Sequence, residues 1–322
     1  MNVRQTATYL GRRIGAMCAM LVLVSMFVFL VPRALGVDPL VVLGGDKGAT
    51  EAAKAELALR FGLDKPLLAQ YGDWATGLLS GDLGHDYVNR QDVRGLIAPR
   101  VPVTVGLVAI SMVLAWIFGI LLGTLSALRK NTGLDTGISM VSLLLASTPG
   151  FVMAIVSILV CARFFPSYSF VGSYGNAGEY VARIVLPAVV LSFVPMALIV
   201  RVTRSSMVEQ MKQGYVRTAR AKGLGRAAII VRHGFRNAMP PVLTIASMMV
   251  GTAISGAVLV ETVFSLPGLG SLLVSAIKEY NYPITQTLLL LLLFVFLLIS
   301  FVMDAVLVLI DPRVSLRQGG LA

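Results

Sequence analysis

Charge is scarce in this sequence. Asp, Glu, Lys and Arg make up 13% of it, about half the roughly 25% of an ordinary soluble domain. With 57% hydrophobic residues and a mean hydropathy of +0.83, the composition excludes a typical soluble surface and points to an integral membrane protein. Histidine is nearly absent: His85 and His233 are the two, and neither lies in a long apolar run. An intramembrane protease of the Ser/His or H-E-x-x-H kind therefore has no histidine where its chemistry needs one. The two cysteines, Cys18 and Cys161, fall in or beside apolar runs and read as small buried side chains rather than a disulfide or metal pair. No G-x-x-x-x-G-K-[ST] phosphate loop occurs, so the chain is not expected to bind and hydrolyse ATP itself. No catalytic residue, metal or cofactor is expected of it.

What is abundant is long apolar sequence. A span needs about 20 mostly apolar residues, and six candidates stand out: 14–32, 101–128, 136–162, 184–200, 237–260 and 280–303. The fourth is short, but helix can continue past it into the polar segment that follows. The first has an Arg12-Arg13 flank but no clear small-x-small cleavage site, so it reads as an uncut span. No acid sits in the middle of any run, and Asp304 lies near the end of the last. A carrier driven by protons or sodium usually needs an ionisable or unwound polar site at mid-depth.

Lys and Arg near span ends set orientation. Arg4, Arg12 and Arg13, then Arg129 and Lys130, then the run 201–236, then Arg313 and Arg317 all fall on one side if there are six spans. Both termini are therefore expected in the cytoplasm. The opposite side receives 36–100, 164–183 and 261–279, and the first of these holds nine acids against seven bases. Four segments follow: 1–35 with the first span, an extracytoplasmic loop 36–100, a five-helix core 101–310 containing a cytoplasmic loop 201–239, and a tail 311–322. Within the outer loop, "TEAAKAELALRFGLDKP" places Ala53, Leu57 and Phe61 on one face of a short amphipathic helix, with Gly62 and Pro66 as stop signals.

Inside the runs, Gly119 and Gly123 make a GxxxG step, and Gly251 with Ser255 a small-xxx-small step. Such spacing lets helices approach closely, although glycine is common in membrane helices anyway. Pro149 in "STPGF" and Pro195 in "SFVP" each remove a backbone donor and kink a helix. Ser147, Thr148 and Ser255 are polar groups that could face a path, but intra-helix hydrogen bonds are the expectation, and no substrate site is assigned.

The stretch 201–236 carries nine Lys/Arg and one acid, Glu209. Residues 213–222 read as a short amphipathic helix ended by the glycines of "GLG", and 226–237 as a second helix leading to Pro240 and Pro241. A positive-inside signal needs no such helix-turn-helix, and none of the apolar face formed by Ala227, Ile230 and Val231; the pattern suits a docking element.

This loop resembles the cytoplasmic "EAA" loop of ABC importer permeases, above all the dipeptide/oligopeptide/nickel family. "RTARAKGLG" (217–225) followed by "RHGFRNAMPPVLT" (232–244) carries the likeness, with Arg217 at the usual Glu position and Thr218 and Ala219 at the alanines. "FGLDKPLLAQYGDW", "GDLG", "ETVFSLPGLGSLLVSAIKEYNYP" and the closing "DPR" are similar to other segments of that family, so the resemblance covers most of the chain. Two places depart from it: His85 and Asp86 follow "GDLG" where a serine-containing run is usual, and Asn281 stands where aspartate is usual.

The resemblance implies an all-α, type I ABC importer permease-like bundle of about six transmembrane helices in a prokaryotic cell membrane. It implies a second, similar permease subunit, two cytoplasmic ATPase subunits or domains that bind the ATP, and an extracytoplasmic substrate-binding protein. Arg217, Thr218, Ala219, Arg220, Ala221, Lys222, Gly223, Leu224 and Gly225 would then form the ATPase-coupling loop. Ala219 and Gly223 would be small so that the helix seats closely, and Arg217, Arg220 and Lys222 would supply charge complementarity, with membrane lipid as a further contact. The implied cargo is di- or oligopeptides, with nickel or a nickel chelate as the alternative. A stand-alone secondary carrier, a membrane enzyme and a structural anchor are the competing classes.

Overall fold

Twenty-eight consecutive uncharged residues form one helix, Val101–Leu128, about 42 Å long at 1.5 Å per residue. In a bilayer every backbone group must find its partner within the chain, so such a run has little choice but helix. The structure is a computed structural model describing residues 3–34, 58–59, 62–165 and 177–310. The helices among these are α1 (Val3–Ala34), α2 (Leu67–Ser80), α3 (Val93–Ile97), α4 (Val101–Leu128), α5 (Gly133–Ser147), α6 (Gly150–Phe164), α7 (Ala177–Gln210), α8 (Gly214–Ala221), α9 (Arg226–Val263), α10 (Leu269–Lys278) and α11 (Tyr282–Ile310). No β-strand occurs among the described residues. The amphipathic helix expected around Ala53, Leu57 and Phe61, and the tail with "DPR", lie outside the described residues.

Five helical stretches are long and apolar enough to cross a membrane: Gly11–Ala34, Val93–Leu128, Gly178–Gln210, Arg226–Val263 and Tyr282–Val302. The sixth expected span, 136–162, is not one helix. It is α5 and α6 joined at a bend of 108°, and six spans are reached only if this pair counts as one. Pro149 is the cause. A residue before proline is pushed out of the helical region, and Thr148 is extended at φ −86, ψ 127. Each half has 15 residues, about 22 Å, short of a hydrocarbon core of about 30 Å. Pro195 behaves differently: α7 runs through Pro187 and Pro195 without a break.

The chain divides into two compact units. The first comprises Ala7–Thr104 with Pro267–Leu297. Its apolar cluster joins Val93 and Ile97 of α3 to Leu269, Leu272, Leu273 and Ala276 of α10 and to Ile284 and Leu288 of α11. Thr104 Oγ1 accepts the otherwise orphaned Leu269 N–H at 2.8 Å, closing the start of α10. Elsewhere in this unit Phe29 of α1 packs edge-on against Tyr71 of α2 at 5.3 Å, and the Arg33 guanidinium stacks 3.6 Å above the Phe29 ring.

The two departures from the family pattern meet in this unit. Asp86 and Asn281 are 2% and 1% exposed, and the Asn281 amide donates to Asp86 Oδ1. Asp86 also accepts the Val88 and Asn89 N–H groups, each at 2.9 Å. Burial pushes its carboxyl up, but these hydrogen bonds together outweigh burial and hold it below the usual carboxylate range. Its contribution to stability is present above the ordinary carboxylate value of about 4 and is lost only as pH falls through the lowered folded value. With aspartate at 281 two carboxylates would face each other. Asn281→Asp is therefore expected to lose about 2–3 kcal/mol at pH 7, and the deficit should shrink at about pH 4, the ordinary carboxylate value, because protonation relieves repulsion between facing carboxylates. Thermal unfolding of the purified chain at both pH values checks this; an equal deficit at both would refute it.

The second unit holds α5 to α9 with the part of α4 from Val105 onward. Its core joins Ala115, Ile199, Val242 and Ala246, from α4, α7 and α9, and α7 also packs on α5 and α6. The Gly119/Gly123 step is a packing device: a Cβ on Gly119 would stand 2.7 Å from Ile199 Cγ2, and one on Gly123 2.6 Å from Thr203 Cβ and 2.7 Å from the Val200 carbonyl oxygen. Ser147, Thr148 and Ser255 hydroxyls donate to the carbonyls of Leu143, Leu144 and Gly251 in their own helices, as expected.

Candidate functional site: the basic hairpin

Between α7 and the apolar part of α9 the chain forms the expected helix-turn-helix. Its first helix, α8, spans Gly214–Ala221 and ends in a Schellman motif. Gly223 adopts φ +78, its N–H donates to the Arg220 carbonyl at 3.0 Å, and the Leu224 N–H reaches back to Ala219 at 3.3 Å. A left-handed residue at this position costs glycine little and other residues more. Gly225 plays another part: it is extended at φ −65, ψ 151 and stands at the start of the second helix.

The hydrophobic contact that accompanies this cap is Leu224 packed on a cluster of Val216, Ala219 and Ile229, with Met211 alongside. This cluster decides which face of α8 looks outward. Val216 and Ala219 are 1% and 5% exposed, so the smallness of Ala219 serves the hairpin's own packing and not an external seat. Opposite them, Gly214, Thr218 and Ala221 at i, i+4 and i+7 form an exposed ridge, flanked by Arg217, Arg220 and Lys222, all exposed. Gly223 and Gly225 are exposed and Leu224 is half-buried. Of the expected apolar face on the second helix, Ala227 and Val231 are exposed and Ile230 half-buried.

The second helix is continuous with the span after it. Arg226–Ala228 is α-helical, Ile229–Phe235 winds as a π-helix, and α-helix resumes at Arg236 and passes through Pro240 and Pro241 to Val263. Gly234 sits inside the π segment where an added Cβ would lie 2.9 Å from Met211 Sδ, so its bareness lets the end of α7 press against the hairpin. Ser206 of α7 donates to the buried Ala238 carbonyl at 3.0 Å, a second tie between the two elements.

Of the nine basic residues between 201 and 236, eight are exposed. The ninth, Arg204, is committed: its Nε and Nη2 donate to the two oxygens of Asp135 at 2.6 and 2.8 Å. The Asp135 side chain is 5% exposed and also accepts from Ser126 Oγ at 2.5 Å and the Asn131 N–H at 2.9 Å. Because the Arg204 side chain is 30% exposed, solvent screens the pair, and removing one partner costs less than the roughly 3–5 kcal/mol of a fully buried pair. Sequence reasoning missed Asp135. Its signal was local, since Thr132 and Asp135 stand at N-cap and N3 of α5 directly after Arg129-Lys130; its partner is 69 residues away.

The hairpin is thus a short helix closed at its C-terminus by a Schellman cap, braced on an extended α7 and continuous with a membrane-crossing helix. Its outward surface is small in the middle and positive at the rim, with no acid in the first turn of α8. Such a surface can dock into a groove and pass a displacement along two long helices. It holds no catalytic constellation, and among the described residues no group of three His, Cys, Asp or Glu side chains could hold a metal.

Comparison with known proteins adds to this. Residues 119–316 match the family model described as "Binding-protein-dependent transport system inner membrane component", and residues 7–108 match the model for the N-terminal part of that membrane component. The dipeptide transport system permease protein DppB of Escherichia coli (strain K12) is 34% identical over 336 residues, covering 96% of this chain and 99% of that one. The di/tripeptide transport system permease protein DppB of Pseudomonas aeruginosa (strain UCBPP-PA14) is 34% identical over 330 residues, covering 95% and 98%. Among solved structures, an inward-facing form of the MetNI methionine ABC transporter superposes with a TM-score of 0.55 at 19% identity, over 67% of this chain and 96% of the matched chain, a likeness of fold.

Proposed function

Because the chain belongs to the family of binding-protein-dependent transport system inner membrane components, we propose that it is the permease subunit of an ATP-driven importer of di- or oligopeptides. The cargo follows from its relatives, which are named for dipeptides and di/tripeptides. Its partners in this reading are a second homologous permease, two cytoplasmic ATPase subunits and an extracytoplasmic binding protein. Both termini and the hairpin lie in the cytoplasm, and 36–100 lies outside, with 101–310 as the translocating core and 311–322 as a tail.

The observation that carries the reading is the hairpin. Residues 217–225 form the coupling element, with the ridge of Gly214, Thr218 and Ala221 as its seat and Arg217, Arg220 and Lys222 choosing the partner. Charge at a rim governs partner choice and register more than raw affinity. When the ATPases close on ATP, the hairpin moves as one piece; the displacement enters α7 and α9, and the helices rock between outward and inward access.

Affinity purification of the tagged chain from its native membrane in gentle detergent tests this. A second permease and ATPase subunits are expected in the eluate. Recovery of the chain alone, where control complexes survive, would refute the importer assembly.

A further inference from the structure

The first unit contains a groove of about 800 Å³, within the size range of sites for small organic ligands. Arg33 of α1, Trp74 of α2, His85 and Tyr87 of the loop before α3, and Gln286 of α11 line it. Gln286 is 2% exposed, and its Nε2 has no hydrogen-bond partner among the described residues. A buried amide nitrogen without an acceptor is costly and rare, so its position on a groove wall calls for an acceptor from outside the chain.

The remaining charges narrow the acceptor's class. Lys65, on the groove's lining, is committed to Asp73 at 2.6 Å; Asp82 accepts the Gly84 N–H at 2.9 Å and keeps its negative charge, which Arg33 and Arg90 on the same lining outweigh. The Arg33 guanidinium donates to the Phe29 carbonyl and to Gln70 Oε1, and neither acceptor neutralises its charge. Burial raises the Tyr87 phenol to about 12, so it stays a neutral hydroxyl at physiological pH. A cation and an amide donor on the lining of one groove suit a group that only accepts hydrogen bonds and carries negative charge, a carboxylate. The Trp74 ring on the same lining offers a flat apolar surface for whatever the carboxylate is attached to.

We propose that this groove binds the carboxylate end of a short extended solute, with Gln286 Nε2 and Arg33 as the donors and Trp74 as the wall. That the solute is a peptide with a free C-terminus rests on the importer reading above; the carboxylate rests on the groove alone. Trp74, His85 and Tyr87 belong to the loop assigned to the extracytoplasmic side, and Arg33 and Gln286 to the span ends that adjoin that side, where arriving solute would be met before translocation.

The chain has two tryptophans, Trp74 and Trp116, so a Trp116→Phe protein in lipid nanodiscs reports the groove by Trp74 emission. Titration with dialanine is expected to give a saturable change. Dialanine amidated at its C-terminus, and dialanine added to Gln286→Leu, should each bind about tenfold more weakly or worse, the loss of one hydrogen bond to a charged group. Gln286→Leu should melt no lower than its parent, because it removes an unsatisfied donor. The amide comparison needs no change at Gln286 and holds even if that variant misfolds. No saturable change with dialanine, or equal affinity for acid and amide, overturns the site. Binding here requires no ATPase, so failure of this test with partners still recovered in purification condemns the groove and leaves the importer reading standing.

Discussion

Gly223→Val is expected to reduce uptake at least tenfold while the chain remains inserted and folded. The reason is backbone conformation and not crowding. A Cβ at Gly223 would meet nothing within 4 Å, but the residue holds φ +78, which costs an ordinary L-residue roughly 1–2 kcal/mol and a β-branched one more. Valine would pull this position toward negative φ and break the hydrogen bonds from residues 223 and 224 to Arg220 and Ala219. The end of α8 would fray, Leu224 would leave the cluster of Val216, Ala219 and Ile229, and the seat would turn away from its partner. Gly223→Asn separates the causes, because asparagine tolerates the left-handed region. It should keep most of the uptake and of the ATPase association that valine abolishes. Peptide uptake in cells, read beside co-purification of the ATPases, decides the matter. Wild-type uptake in the valine variant would sink the coupling role of 217–225.

Gly123→Leu should be the most damaging substitution to the fold itself. Apolar burial gives little drive to helix association in lipid, where tails are as apolar as side chains, so contact between α4 and α7 depends on close packing. The Cβ of any residue at 123 would lie 2.7 Å from the Val200 carbonyl oxygen, which belongs to the helix backbone and cannot rotate aside. Even alanine would force the helices apart, at the 1–3 kcal/mol typical of overpacking, and leucine adds three more carbons to the same gap. Against a total stability of about 5–15 kcal/mol, such a change should leave little folded protein. Fluorescence-detected size exclusion and thermal unfolding in detergent measure it, with Gly133→Leu, where an added Cβ meets nothing within 4 Å, as the control. A normal melting profile for Gly123→Leu would show that α4 and α7 do not pack as described.

Much of this protein follows from its sequence alone. A lipid solvent forces uncharged runs of about 20 residues into helix, so all six candidates are mostly helical, the third as two helices broken at Thr148 and Pro149. Proline's effect on the residue before it put an irregularity at Thr148 that was legible in "STPG", though not its 108° size. The glycine that ends α8 was legible because a Schellman cap is a local motif with a local residue preference. The side each residue faces was not. Ala219 reads as a seat for a partner until Ile229, ten positions on, folds back and covers it. Arg204 reads as one more exposed base until Asp135 claims it, and Asp86 and Asn281 read as two unrelated departures until a hydrogen bond joins them across 195 positions. Helix is decided by the solvent and by neighbours within a turn, whereas burial and pairing depend on which distant segments the packing of α4, α7 and α9, or of α3, α10 and α11, brings together.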